Sequence, residues 1–157
     1  MKIEYLSDHP HRLREIAELH YGEWPSPELG DSVDTREKKL SVCCSCREIP
    51  FGVIALNEED LCGFALLVLQ DFELRANLSP WLAGVFVRPD HRKRGVGSAL
   101  VERIQHEAKA LGFKALYLYT AHAEAFYARL RWRVIERCAH NNRDYAVMAR
   151  ELKNNEW

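Results

Sequence analysis

What this chain of 157 residues lacks narrows it sooner than what it contains. No stretch reaches the eighteen or so consecutive apolar residues that a membrane-crossing helix requires, so no membrane partner is expected. Neither sign of charge is in excess: 22 Lys and Arg against 23 Asp and Glu leave a formal net charge of -1. That balance argues against broad nucleic-acid binding and still leaves room for a local basic patch. The first residues, Met1-Lys2-Ile3-Glu4-Tyr5, do not follow a basic segment with an apolar one, so no secretory signal is read and a cytoplasmic location is expected. The five cysteines are odd in number, with Cys43, Cys44 and Cys46 crowded together and Cys62 and Cys138 apart. This usage fits a reducing compartment and not a disulfide framework. Cys43 and Cys46 form half of a zinc spacing with no second pair to complete it, so no metal is expected. Linkers, repeats and low-complexity tracts are missing as well. A single domain over residues 1–157 follows, long enough to bury a real core.

What is present is an alternation of periodicities. Lys2 to Ser7 reads as a strand, and His9 to Trp24 places Leu13, Ile16, Ala17 and Leu19 at helical spacing before Pro25 and Pro27 stop it. A polar loop over Glu28 to Asp34 leads to a second helix, Thr35 to Cys46, with Asp34 or Thr35 as its cap. Two β-rich runs, Gly52 to Leu56 and Cys62 to Leu69, flank the hairpin punctuation Asn57-Glu58-Glu59-Asp60. Trp81 to Val87 is a fourth strand. Val96, Leu100, Val101, Ile104, Ala108 and Leu111 then mark the buried stripe of a helix that Gly112 ends. A fifth strand, Lys114 to Tyr119, a short helix, Ala123 to Leu130, and two last strands, Val134 to Cys138 and Tyr145 to Leu152, complete an α/β chain of about seven strands and four helices.

The strongest chemical signal follows the fourth strand: Arg88-Pro89-Asp90-His91-Arg92-Lys93-Arg94-Gly95-Val96-Gly97-Ser98. The first turn of a helix has backbone N–H groups without intrahelical partners and carries about half a positive charge, so an anion docks there when the backbone can be approached closely. Gly95 and Gly97 permit that approach, and Arg92, Lys93 and Arg94 add formal charge. A dinucleotide fingerprint would need a third glycine where Leu100 stands, and a Walker loop would need Gly-Lys-Ser/Thr, which is missing. Singly, the glycines read as a tight turn and the basic triplet as a solvated run. Together, between a strand and an amphipathic helix, they read as a pyrophosphate cradle.

The pattern Arg92-x-x-Gly95-x-Gly97 resembles the coenzyme A signature of the GNAT superfamily of N-acetyltransferases, and the order of elements matches that family along nearly the whole chain. The resemblance implies a GNAT fold with a splayed pair formed by the fourth and fifth strands. It implies acetyl-CoA as co-substrate, its pyrophosphate held at Arg92, Lys93, Arg94, Gly95, Val96, Gly97 and Ser98. It further implies that backbone N–H groups of Val85, Phe86 and Val87, after a bulge at Gly84, bind the acetyl carbonyl and the pantetheine amide. A donor so placed contributes roughly 3–4 kcal/mol in other acyl-transfer enzymes. Phe126 and Thr120 join the coenzyme site by the same resemblance, although Thr120 stands where many members have Asn.

Leu116-Tyr117-Leu118-Tyr119-Thr120, followed by Glu124-Ala125-Phe126-Tyr127-Ala128-Arg129-Leu130-Arg131-Trp132, resembles the family's C-terminal motif, whose tyrosine lies near the coenzyme sulfur and acts as general acid. The departing thiolate, whose conjugate acid has a pKa of about 8.5 by analogy with cysteine, needs such a donor. Tyr127 is accordingly the first catalytic candidate; read by itself it is a core aromatic beside Phe126. Arg131 replaces the usual Gly before Trp132, which implies either a differently built turn or a left-handed arginine. For the general base, Glu73 ranks first, ahead of Asp71, Glu23 and His122, because the end of the third strand can face the splay. The acids Glu28, Asp31 and Asp34 hint at a cationic amine acceptor.

The resemblance implies an N-acetyltransferase acting on a primary amine of a small molecule or a peptide, by direct attack in a ternary complex. Two alternatives stay open: a coenzyme A-binding regulatory module without turnover, and an acetyltransferase for aminoacyl-tRNA, which would want a basic face. A homodimer is also compatible with the sequence.

Overall fold

The computed structural model describes residues 1–26, 29–44 and 47–153. Seven strands form one mixed sheet in the order β1-β2-β3-β4-β5-β7-β6: β1 Lys2–Tyr5, β2 Phe51–Asn57, β3 Asp60–Val68, β4 Trp81–Val87, β5 Ala115–Thr120, β6 Arg133–His140 and β7 Arg143–Glu151. Neighbours are antiparallel except β4 and β5, which run parallel. The helices among the described residues are α1 Leu13–Glu23, α2 Val33–Leu40, α3 Val96–Ala110 and α4 Glu124–Arg129. This is the mixed α/β architecture expected of the GNAT fold.

Two apolar layers follow from the period-two alternation of strand side chains. On one face Val53, Leu67, Leu82, Leu116, Leu118 and Met148 pack against Leu100, Ile104 and Ala108 of α3 and Tyr127 of α4. On the other, Ile54, Phe64, Leu66 and Phe86 pack under Ile16 and Ala17 of α1 and Leu40 of α2. Beyond α1 and α2, the same face carries an aromatic cluster of Phe72, Trp81, Tyr117, Tyr119 and Tyr145. Phe72 stacks on Tyr119 with ring centroids 4.4 Å apart.

The boundaries differ from the sequence reading where local hydrogen bonding competes with periodicity. The first helix starts at Leu13 and not His9, because Pro10 opens a separate 3-10 turn over Pro10–Arg12. The cap of α2 is Ser32, not Asp34 or Thr35: Thr35 N–H donates to Ser32 Oγ at 3.1 Å, and Ser32 N–H donates back to Thr35 Oγ1 at 2.8 Å. That reciprocal box satisfies donors at the helix start. After Leu40 the chain tightens into a 3-10 turn that buries Cys43, and Cys44 follows it inward. Ser45 and Cys46, the expected end of this helix, lie outside the described residues. The last two strands are longer than their apolar runs and meet at Asn141-Asn142, both at positive φ (51° and 62°), a pair that suits the twist of a tight hairpin.

Arg131 is left-handed, with φ 70°. Its N–H donates to Ala128 O at 3.0 Å, and the next residue, Trp132, donates to Tyr127 O at 3.1 Å. The turn after α4 therefore keeps the geometry that a glycine would serve, with an arginine in its place.

Candidate active site

The centre of the sheet is open. β4 and β5 share a single register pair, Trp81 with Tyr117, and the Tyr117 N–H donates to Pro80 O at 3.1 Å. Past that point the strands pair no further, and their C-terminal halves diverge. The cause lies in β4. Phe64 of β3 faces Phe86, yet Leu66 faces Ala83, so β4 carries one residue more than β3 in this interval. Gly84 sits in that bulge at φ 56°, a conformation that glycine takes without steric cost.

The bulge decides which backbone groups face the gap. Arg88 N–H donates to Cys62 O at 2.8 Å, toward β3. Alternation then turns the N–H groups of Val87 and Val85 to the opposite edge, where β5 has moved away. Phe86 stays in register with Phe64 on the β3 side, and its ring packs beneath α1 with Phe64. Val85 and Val87 lean their side chains toward α3.

At the far end of the gap stands the start of α3. Lys93 (φ 63°) and Gly95 (φ 81°) reverse the chain, and the first intrahelical bond is Ala99 N–H to Gly95 O at 3.0 Å. The N–H groups of Val96, Gly97 and Ser98 thus lack helical acceptors, and no side chain caps them. The two glycines serve different ends. A Cβ on Gly95 would meet open space, so glycine is there for its backbone conformation; one on Gly97 would stand 3.2 Å from Phe126 Cζ and 3.6 Å from Val87 Cγ2. Gly97 therefore lets β4, α3 and α4 close together at the floor of the gap.

The basic triplet divides in the same way. Arg92 folds back, its Nε donating to Val87 O at 2.9 Å and its guanidinium over the Phe86 ring at 5.9 Å. Lys93 and Arg94 remain exposed at the helix mouth. Unpartnered amides, a left-handed glycine with open space in front of it, and two unpaired strand edges leading to it fit a pantetheine pyrophosphate of the coenzyme A kind.

Tyr127 lies under this arrangement. It is 8% exposed, edge-on to Phe126 (5.0 Å) and Trp132 (6.0 Å). Burial pushes its phenol well above the ordinary value, so the group stays protonated and a donor at any physiological pH. Thr120 Oγ1 accepts the Ala123 N–H at 3.0 Å, which holds the turn between β5 and α4 and leaves the hydroxyl proton available. Off the end of β5, on the β7 side, a polar cleft of about 470 Å³ is lined by Thr120, Glu124, Arg137, Asp144 and Tyr145.

The acids divide as well. Glu73 is exposed on a 3-10 turn, Glu73–Arg75, after β3. Asp71 keeps accessible surface, yet desolvation raises its carboxyl to about 6. Both carboxylates act on Tyr119, whose phenol is raised by its own burial first and then by Asp71, Tyr145 and Glu73. Asp31 and Asp34, expected to attract a cationic acceptor, each have an arginine partner: Asp31 binds Arg36 at 2.6 Å, and Asp34, on the surface, pairs with Arg14. Glu28 lies outside the described residues.

One group here escaped the sequence reading. His20 of α1 places its imidazole edge over the β4 bulge, where a Cβ on Gly84 would stand 3.4 Å from its Nε2. A single histidine on an amphipathic helix carries no sequence signal beyond that of a core residue.

A family model described as the acetyltransferase (GNAT) family matches residues 13–131. The chain belongs to the GNAT acetyltransferase family. No curated protein sequence matches it significantly. Among solved structures it resembles an aminoglycoside 6'-N-acetyltransferase complexed with coenzyme A, at TM-score 0.78 and 18% identity over 99% of each chain. It also resembles mutant forms of the spermidine/spermine N-acetyltransferase of Vibrio cholerae, at TM-score 0.70 and 17% identity over 96% of this chain and 94% of that one. A third, yncA from Salmonella typhimurium with its cofactor acetyl-CoA, matches at TM-score 0.68 and 15% identity over 100% and 96%. Likeness at these identities is likeness of fold. Among the described residues, no helix is long and apolar enough to cross a membrane, and no group of three or more His, Cys, Asp or Glu side chains is arranged to hold a metal.

Proposed function

We propose that this chain is an acetyl-CoA-dependent N-acetyltransferase that acetylates a primary amine by direct attack in a ternary complex. One observation carries the reading: the gap between β4 and β5 leads directly to the unpartnered N-terminus of α3. Acetyl-CoA supplies an activated acyl group on a thiolate leaving group. The N–H groups of Val85 and Val87 receive the acetyl oxygen and pantetheine amide, and lower the barrier by stabilising negative charge as it grows on that oxygen. Val96, Gly97 and Ser98 amides, with Lys93 and Arg94, hold the pyrophosphate, while Arg92 braces β4.

As the amine nitrogen bonds to the acyl carbon and the carbon–sulfur bond breaks, the nitrogen loses a proton and the sulfur gains one. Tyr127 gives its hydroxyl proton to the sulfur. Asp71 takes the amine proton: its charge acts on Tyr119 of β5 ahead of that of Glu73, and desolvation lifts its carboxyl to about 6, which makes it a better base than an ordinary carboxylate and leaves it ionised at neutral pH. A regulatory coenzyme A-binding module would keep the cradle and treat Tyr127 as a core aromatic. Acetyl-CoA-dependent acetylation of an amine panel, with aminoglycosides, polyamines and peptides included, separates the two readings. Thiol released in equal amount to acetylated amine supports the enzyme, and coenzyme binding without turnover supports the module. The fold itself chooses no acceptor.

A further inference from the structure

Arg36 of α2 is buried, 8% exposed, with both Nη groups engaged between α1 and the segment before α2. Its Nη2 donates to Asp31 Oδ2 at 2.6 Å and to Trp24 O at 3.0 Å, and its Nη1 lies 2.7 Å from His20 Nδ1. A guanidinium has only donors and keeps its charge. In this contact Nδ1 of His20 is therefore the acceptor, and the proton of the neutral ring sits on Nε2. Protonating Nδ1 would set two donors, both cationic, against each other. Burial and the Arg36 charge accordingly push the imidazole down to about 4.

That leaves one N–H with a fixed direction. Nε2 lies over Gly84 on the α1 face, at the point where β4 leaves β5. The atom has no hydrogen-bond partner among the described residues, and it is not sealed: the enclosed side-chain N and O atoms without partners are Arg12 Nε and Arg150 Nε alone. Trp24, one helical turn on, is 39% exposed with its ring 4.9 Å from that of His20 and 6.5 Å from Phe86. On its α1 face the gap is thus bordered by an aromatic wall and, over Gly84, by the Nε2–H of His20.

We propose that His20 is an acceptor-orienting residue, whose Nε2–H donates to an oxygen on the amine substrate beside the reacting nitrogen. This rests on the acetyltransferase reading and sharpens it. The backbone of β4 and the start of α3 serve the acyl donor, so a donor group on the α1 face is left for the second substrate. As a neutral N–H it cannot accept the amine proton, which separates its role from that of Asp71. It favours amino alcohols, amino sugars and amino acids over plain alkylamines. Asp31 acts on the site only through Arg36, as a positioning residue.

Two measurements test this. Nitrogen-detected NMR of His20 in the full chain, with no substrate needed, is expected to give the neutral Nε2–H form at pH 7; the Nδ1–H form or an imidazolium overturns the proposal. Matched acceptors, glucosamine against cyclohexylamine and ethanolamine against propylamine, are then compared. The oxygen-bearing member is expected to have at least a tenfold higher kcat/KM in the wild type. His20→Phe should erase that preference without changing the KM of acetyl-CoA, and His20→Gln, which keeps an N–H at the same reach, should retain most of it. A preference unchanged in His20→Phe, or an equal loss for both members, contradicts it. A wild-type chain that acetylates no amine would sink the acetyltransferase reading and this proposal's substrate, while the NMR result still reports whether the His20 donor exists.

Discussion

The ring of Phe126 lies against the first turn of α3, so that a Cβ at Gly97 would come within 3.2 Å of its Cζ. The second glycine of the cradle is therefore held by packing, and the first by backbone conformation. Gly97→Ala gains about 1 kcal/mol of helix propensity and meets crowding of similar size. Its unfolding free energy in urea should stay within about 1 kcal/mol of wild type, and Phe126→Leu should make the same substitution more favourable by roughly 0.5–1 kcal/mol. Equal effects in both backgrounds would mean that the contact does not limit position 97.

Tyr127→Phe removes the hydroxyl and keeps the packing against Phe126 and Trp132. Turnover should fall about 100-fold with acetyl-CoA affinity changed less than about threefold, as expected when a general acid is lost. Asp71→Asn should cause a fall of the same order, while Glu73→Gln should stay within about threefold of wild type. The Asp71 titration, near 6, should appear as an acid limb in kcat/KM that the Asp71→Asn variant lacks.

Stability should carry two opposed pH signatures. His20 is pushed down to about 4 from 6.5, so between those values the unfolded chain binds a proton that the folded one refuses, and stability falls as pH is lowered through the window. The full swing is at most about 3 kcal/mol. Asp71 is lifted to about 6 from 3.8, so the folded state binds the extra proton there, and its contribution is lost as pH rises through 4 to 6. Denaturation of wild type at pH 7 and pH 4.5, set against His20→Gln, isolates the first: the variant should lose less on acidification. Against Asp71→Asn it isolates the second, since that variant should gain stability at pH 7.

Arg131 adopts φ 70° where glycine would be unstrained. Arg131→Gly should relieve about 1 kcal/mol, a rise of about 2–4 °C in Tm for a chain of this size. An unchanged or lower Tm would mean that the arginine side chain offsets the strain.

The strands and helices were legible because one periodicity rules each of them, and the cradle because its residues are contiguous. The element ends were not, since the 3-10 turn opened by Pro10 and the reciprocal Ser32–Thr35 hydrogen bonds are local features that no apolar pattern records. The Gly84 bulge was expected through the family resemblance, and its effect on Val85 and Val87 needed the register of β3. The partners of the acidic loop were not legible, because Arg36 and Arg14, which pair with Asp31 and Asp34, come from α2 and α1. His20 was invisible for the same reason: its tautomer is set by an arginine 16 residues away, and its direction by a bulge on another strand.

In this reading the β4–β5 gap and the start of α3 bind acetyl-CoA for transfer to an amine. The most direct measurement follows acetyl-CoA with and without the amine panel, by thermal shift and by release of thiol matched to acetylated product. Acetyl-CoA should raise the Tm, a Lys93→Glu, Arg94→Glu double variant should reduce that rise, and thiol release should need an amine. A wild-type chain whose Tm is unmoved by acetyl-CoA, and which releases no thiol with any amine, would contradict it.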